Sequence, residues 1–197
     1  MKFVVASTNL GKIKEIKKVL QDTSFEVISM AEAGVDDEIE ETGVTFEENA
    51  LIKAEAIATK VDAIVMADDS GLEVDALNGA PGVYSARYAG EGATDNDRIV
   101  KLLRELSDVP EEKRQARFVS SIAVVLPGGE NFIVRGTCEG LIAKDPSGDN
   151  GFGYDPIFYL SEYNATMAEI SLEEKNKISH RGRALVKMVE KLREIGE

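Results

Sequence analysis

The sequence predicts an α/β protein with a mixed central β-sheet and flanking helices, and three observations carry that reading. Apolar runs of strand length alternate with segments of helical apolar periodicity. Hydroxyl–carboxylate pairs at capping-box spacing mark helix starts. One long hairpin interrupts the alternation, which requires antiparallel as well as parallel pairing. No internal repeat, low-complexity tract or Ser/Pro-rich linker divides the 197 residues, so the chain reads as a single domain, 1–197.

Taken in order, residues 2–7 read as a first strand and 11–20 as a helix with Ile13, Ile16, Val19 and Leu20 on one face. Phe25 to Met30 forms a second apolar run, followed by an acidic stretch over 32–41. Thr45-Phe46-Glu47-Glu48 is a capping box that opens a helix to about Lys60, with Phe46, Ala50, Ala54, Ile57 and Ala58 inward. Ala63 to Ala67 reads as a short buried strand ending directly in Asp68-Asp69-Ser70-Gly71. Gly79-Ala80-Pro81-Gly82 is a loop, and Thr94 or Asp95 caps a helix whose Ile99, Leu102, Leu103 and Leu106 form a stripe. The hairpin joins Phe118–Leu126 to Asn131–Ala143 through Pro127-Gly128-Gly129. A second capping box, Ser171-Leu172-Glu173-Glu174, starts a short helix, and a final helix over 181–195 turns Leu185, Met188, Val189 and Leu192 inward.

Composition sets bounds on function. A formal net charge of −13, from 36 Asp and Glu against 23 Lys and Arg, argues against a broad nucleic-acid-binding face but not against a small anionic ligand. No apolar run approaches the roughly 18 residues of a membrane span, and no membrane partner is expected. The N-terminus turns polar after a strand-length run, unlike a signal peptide. One cysteine, Cys138, excludes an internal disulfide and suits a reducing cytoplasm.

Several segments carry chemistry. Gly151-Phe152-Gly153-Tyr154-Asp155-Pro156 offers bendable glycines, two aromatic faces and a carboxylate, a loop able to hold a flat base. Ser179-His180-Arg181-Gly182 contains the only histidine, beside an arginine at a helix start, a setting that favours anion contact. Ser7-Thr8-Asn9-Leu10-Gly11-Lys12 passes from strand to helix, where N–H groups and an ammonium meet phosphate; it is equally the pattern of a plain turn with a solvated lysine. It is not a Walker A loop, because the first glycine is missing and Ile13 replaces the metal-binding hydroxyl. Asp68-Asp69-Ser70-Gly71 closes a strand where open α/β sheets place ligands, and adjacent strand residues face opposite sides. It is also the pattern of an Asx-type turn. Asn49 and Lys53 share one helix face just after Glu40-Glu41-Thr42-Gly43, which brings an amide, an ammonium and a carboxylate towards one region.

In order, these segments resemble the inosine triphosphate pyrophosphatase family, the RdgB-like enzymes. The resemblance rests on Ser7-Thr8-Asn9-x-Gly11-Lys12, Glu40-Glu41-Thr42-Gly43-x-Thr45-Phe46-x-Glu48-Asn49-Ala50 and Ala67-Asp68-Asp69-Ser70-Gly71-Leu72. It continues through Gly79-Ala80-Pro81-Gly82-x-Tyr84-Ser85-Ala86-Arg87 and the two segments at 151–156 and 179–182, covering essentially the whole chain. It implies two lobes around a nucleotide-binding cleft, a homodimer, and Mg²⁺-dependent hydrolysis of ITP, dITP and XTP to monophosphate and pyrophosphate. By the same resemblance Asp69 is the general base and, with Glu40, associated with the metal. Ser7, Thr8, Asn9, Leu10, Gly11, Lys12, Lys53 and Ser70 are assigned to the substrate, largely its phosphates. Phe152, Gly153, Tyr154, Asp155, Lys175, His180 and Arg181 are assigned to base recognition. A Maf-like pyrophosphatase would carry Ser-Pro-Arg in the N-terminal loop, and a silent nucleotide-binding module would lack Asp69 or Lys12.

Overall fold

The computed structural model describes residues 2–196. Its strands are β1 (Lys2–Val5), β2 (Glu26–Ser29), β3 (Ile64–Val74), β4 (Gln115–Val125), β5 (Asn131–Ile142), β6 (Phe158–Leu160) and β7 (Ala165–Thr166). Its helices are α1 (Leu10–Leu20), α2 (Phe46–Ala58), α3 (Asp95–Glu105), α4 (Leu172–Ile178) and α5 (His180–Gly196). The strands form one mixed sheet in the order β2-β1-β3-β4-β5-β6-β7. The chain divides into two compact units, neither of them contiguous in sequence: Met1–Asp69 with Ser120–Gly136 and Arg181–Glu197, and Ser70–Val119 with Thr137–His180.

In the first unit β1 pairs in parallel with β2 (Val4 opposite Ile28) and with β3 (Val4 opposite Val65). Residue parity along the strands sorts two cores. Phe3, Val5, Ile64, Met66, Ile122 and Val124 pack with Ile13, Ile16 and Leu20 of α1 and Leu185 and Met188 of α5. Val4, Ala6, Val65, Ala67, Ala123 and Val125 pack instead with Ala50, Ala54 and Ile57 of α2. Helices therefore cover both faces, which explains why these strands read as continuous apolar runs. Each fully buried Ile or Leu contributes about 1.5–3 kcal/mol of transfer free energy.

The second unit has one core, in which Ile99, Leu102 and Leu106 at the α3 stripe meet Leu72, Val74, Phe118, Ile142, Ile157, Phe158 and Met167. Thr94 caps α3 through a complete capping box with Asp97. β6 pairs antiparallel with β5 (Ile142 opposite Phe158) and with β7.

Three features differ from the sequence expectation. β3 does not stop at Ala67 but runs to Val74, carrying Asp68, Asp69, Ser70 and Gly71 inside the strand. Paired charges and close packing, described below, make these polar residues compatible with a buried strand. β6 and β7, of three and two residues, are too short to show a period. At α2, Thr45 accepts from Glu48 N as expected, but the Glu48 carboxylate accepts from Val44 N rather than from the cap residue itself.

Gly140 on β5 lies against the Phe158 ring, and a Cβ there would sit 2.6 Å from Phe158 Cε1 and 2.7 Å from the Tyr159 carbonyl oxygen. Gly140→Ala is expected to cost about 1–3 kcal/mol by overpacking. Urea unfolding checks this, and an unchanged midpoint would contradict the close approach.

Candidate active site

The first unit gathers its charges at the end of the apolar part of β3. Asp68 shares parity with Ile64 and Met66 and faces α1 and α5; Asp69 shares parity with Val65 and Ala67 and faces α2. On the α1 side, Asp68 Oδ2 accepts from Lys12 Nζ at 2.9 Å and from Arg181 Nε at 3.3 Å, while Oδ1 accepts from Ser120 Oγ at 2.5 Å. Arg181 also pairs with Glu15 of α1. Asp68, Glu15 and Arg181 are all buried, and together the two carboxylates hold the guanidinium charged against the opposing effect of burial. Stripping one partner from a buried network of this kind costs about 3–5 kcal/mol, because the remaining charge is left uncompensated.

On the α2 side, Lys53 Nζ lies 2.7 Å from Glu41 Oε1 and 3.4 Å from Asp69 Oδ1. Lys53 and Lys12 also donate to the same backbone oxygen, Asp68 O, at 3.1 and 3.2 Å. Two ammonium groups from different helices thus converge on one backbone oxygen, with the Asp68, Asp69 and Glu41 carboxylates around them. Asp69 Oδ2 is buried and accepts no hydrogen bond. Burial raises the pKa of Asp69, with Lys53 and Lys12 opposing the shift. Burial lowers that of Lys12 despite Asp68. For Lys53, burial is outweighed by Asp69, Glu41 and Asp68, so its charged form is favoured. The difference within the Lys53–Asp69 pair follows from partner number: Lys53 serves several carboxylates, whereas Asp69 receives one long contact.

The segment over 40–43 is fixed by α2. Asn49, fully buried, accepts from Gly43 N at 2.8 Å through Oδ1, and a Cβ at Gly43 would sit 2.7 Å from that oxygen. This clamp brings Glu41 to Lys53, while Glu40 is solvent-exposed. At the other loop, Asn9 caps α1 by accepting from Lys12 N at 3.0 Å, and Asn9 N donates to Ser7 Oγ at 3.2 Å. Leu10 and Thr8 are exposed, Gly11 is half-buried, and the cap presents the start of α1 with Lys12 turned to Asp68.

The second unit holds the aromatic loop. Asp155 is buried and its Oδ2 accepts from Phe152 N at 2.9 Å and from Lys175 Nζ at 2.7 Å. Gly151, at φ +78°, lies so close to this carboxylate that any Cβ would overlap it. Lys175 Nζ stands 4.8 Å from the Phe152 ring centroid. Gly153 N donates to Asp95 Oδ2 at 2.7 Å, and the buried Tyr154 donates its hydroxyl to Ser85 O at 2.9 Å. His180 is buried and stacks on Phe118, centroids 4.8 Å apart.

Of the residues singled out from sequence, Lys12, Lys53 and Asp69 come together in the first unit, and Phe152, Gly153, Asp155 and Lys175 come together in the second. Ser70 is half-buried in β3. Arg181 is held by Asp68 and Glu15 in the first unit. Tyr154 and Asp155 spend their polar atoms on organising the loop itself. Sequence reasoning missed Glu15, Ser120, Glu41 as the partner of Lys53, and Asp95. Glu15 had one signal, its position three residues after Lys12 on the same helix side. Ser120 is recognisable only once β4 has a register.

The fold and this set of groups define an α/β protein whose central strand carries a buried, partly unpartnered carboxylate beside two lysines. The chain belongs to the Ham1 family, whose profile matches residues 3–191. It is 54% identical over 193 residues to the dITP/XTP pyrophosphatase of Bacillus cereus, with 97% of this chain and 94% of that protein covered. The Ham1 protein of Staphylococcus aureus superposes with a TM-score of 0.87 at 46% identity, covering 100% of both chains. A HAM1 protein from Coxiella burnetii gives 0.89 at 46% identity, covering 98% of this chain and 99% of that one.

The raised pKa of Asp69 has a consequence for stability in metal-free buffer. A carboxyl whose folded-state pKa is raised binds its proton more readily in the folded than in the unfolded chain. Stability therefore falls as pH rises from the ordinary aspartate pKa through the raised value. The charged groups bearing on it are Lys53, Lys12, Glu41 and Asp68. Urea unfolding of the parent and of Asp69→Asn between about pH 4 and 8 is expected to show the parent losing stability relative to the variant as pH rises. A difference independent of pH would contradict the burial argument.

Proposed function

We propose that this protein is a nucleoside triphosphate pyrophosphatase that hydrolyses non-standard purine nucleotides, ITP, dITP and XTP, to the monophosphate and pyrophosphate. The observation that carries the reading is the convergence of Lys12 and Lys53 on Asp68 O beside Asp69, whose second oxygen is buried without a hydrogen bond. The likeness to dITP/XTP pyrophosphatases at 54% identity over nearly the full chain supports the same reaction.

In this reading water attacks the α-phosphorus, the bond from that phosphorus to the bridging oxygen breaks, and pyrophosphate leaves. Asp69 takes the proton of the attacking water, a role suited to a carboxylate whose pKa is raised by burial. Lys12 and Lys53 offset the charge that gathers on the phosphate oxygens. The Ser7–Lys12 cap adds backbone N–H groups at the start of α1.

Mg²⁺ belongs to the proposal, and the residues present fit it. Asp69 Oδ2 is an acceptor with no donor, Glu41 meets the same ammonium, Lys53, as Asp69, and Glu40 is exposed beside it in the chain. Among the described residues no cluster of three or more His, Cys, Asp or Glu forms a ready-made cage. That suits a small hard cation that binds through one or two carboxylates plus substrate phosphates. When bound, the ion supplies Lewis-acid neutralisation of phosphate charge.

The base is assigned to the second unit, where Phe152 offers a stacking face and Lys175 and His180 offer donors. Such donors match a 6-oxo group and are left unpaired by a 6-amino group, which disfavours ATP. A cytoplasmic location belongs to the same proposal and is in keeping with the one cysteine, which is free and buried; among the described residues no helix is long and apolar enough to cross a membrane. A homodimer is part of the same proposal, taken from the family resemblance alone.

The test is hydrolysis of ITP, dITP, XTP, ATP and GTP with Mg²⁺ or with EDTA, resolving pyrophosphate from orthophosphate. Turnover of ITP and XTP with pyrophosphate as first product, abolished by EDTA, is the expected result. A preference for ATP, or orthophosphate as first product, would sink the reading.

A further inference from the structure

The loop that carries Phe152 is held from outside itself by an acidic residue with no part in the chemistry described so far. Asp95 is the first residue of α3, and its side chain retains 46% exposure. Its Oδ2 accepts from Gly153 N at 2.7 Å, and its Oδ1 pairs with Arg98 one turn along the helix. Arg98 in turn donates through Nη1 to Ala86 O at 2.8 Å and Ala93 O at 2.7 Å. Tyr154 makes a second tie to the same stretch, through Ser85 O. Ser85 is itself fixed, donating to Gly82 O at 2.6 Å and accepting from Leu72 N at 2.8 Å. The aromatic loop, the start of α3 and the 82–87 turn are therefore one hydrogen-bonded assembly.

We infer that Asp95, supported by Arg98, is a positioning residue for base selectivity: it fixes Gly153 and thereby the attitude of the adjacent Phe152 ring. Gly153 sits at φ +63° with open space where a Cβ would lie. The N–H of this residue is fixed by Asp95, and its neighbour Tyr154 is buried and tied to Ser85 O. The inner side of the loop is fixed by Asp155, which serves Phe152 N. With Asp95 removed, the ring keeps its anchor at 152 but loses the one at 153. It samples more orientations, and a flat base loses contact area. The helix start explains the residue type, since a carboxylate at the first turn of α3 interacts favourably with the helix dipole while accepting from the loop. The inference rests on the reading that Phe152 stacks on the base.

Steady-state kinetics on ITP and ATP test it, with Asp95→Ala, Asp95→Asn and Phe152→Ala compared with the parent protein and thermal melting recorded for each. Asp95→Ala is expected to raise KM for ITP about tenfold, the effect of one hydrogen bond to a charged acceptor. It should lower kcat by much less and narrow the ITP-to-ATP preference. Asp95→Asn keeps an oxygen for Gly153 N and should recover most of the loss, a rescue that a merely structural role would not give. Should Asp95→Ala fail to fold, Asp95→Ser, too short to reach Gly153, takes its place. If Phe152→Ala changes KM and selectivity while the Asp95 variants do not, the positioning role is wrong and base stacking stands. If Phe152→Ala itself changes neither, the stacking reading falls and this inference with it.

Discussion

Alternation along β3 is the constraint on which the rest of the first unit depends. Two consecutive aspartates in a strand must face opposite sides, and both sides of this strand are covered by helices. Each carboxylate is therefore buried among a different set of partners. Asp68 meets Lys12, Arg181 and Ser120, a nearly complete set for a buried anion. Asp69 meets a single ammonium at 3.4 Å and keeps one oxygen without a hydrogen bond. One carboxylate is satisfied by the fold, and its neighbour is left with capacity for something else. Parity at β4 repeats the sorting, since Ser120 reaches Asp68 while Ser121 donates to Glu47 of α2 at 2.9 Å.

The same separation of structural from available groups recurs in the second unit. Asp155 and Tyr154 have the residue types of ligand-binding groups, yet their polar atoms build the loop. What the loop presents is the half-buried Phe152 ring, backed at 4.8 Å by the Lys175 ammonium, which is buried and paired with Asp155. A rigid aromatic surface with a fixed cation loses little entropy on binding a flat ligand. Glycine is required at 151 for a local reason, because its positive φ and missing Cβ let the Asp155 carboxylate approach the chain.

Much of this was legible in the sequence where local physics decides. Helical periodicity gave α1, α2, α3 and α5, and Thr45 and Thr94 do cap α2 and α3. Lys12 stands out at the start of α1, Lys53 through the helix face it shares with Asn49, and Asp69 through the apolar run it follows. β6 and β7 are too short to show a period, and the failures at the site depend on partners distant in sequence. Asp68-Asp69-Ser70-Gly71 looks like a turn because isolated aspartates disfavour strands. Only Lys12, Arg181 and Lys53, from three separate helices, make those residues strand-compatible. Glu40 and Glu41 are indistinguishable by type, and the Asn49–Gly43 hydrogen bond decides which of them meets Lys53.

The central claim is that adjacent aspartates divide labour, Asp68 holding the fold and Asp69 serving the reaction. Turnover of ITP and urea stability, measured together for Asp68→Asn and Asp69→Asn, test it most directly. The account predicts that Asp68→Asn loses about 3–5 kcal/mol of stability, having stranded buried cations. Asp69→Asn should retain or gain stability while losing turnover. An Asp68→Asn protein as stable as the parent, or an Asp69→Asn protein that still turns over ITP at the parent rate, would contradict it.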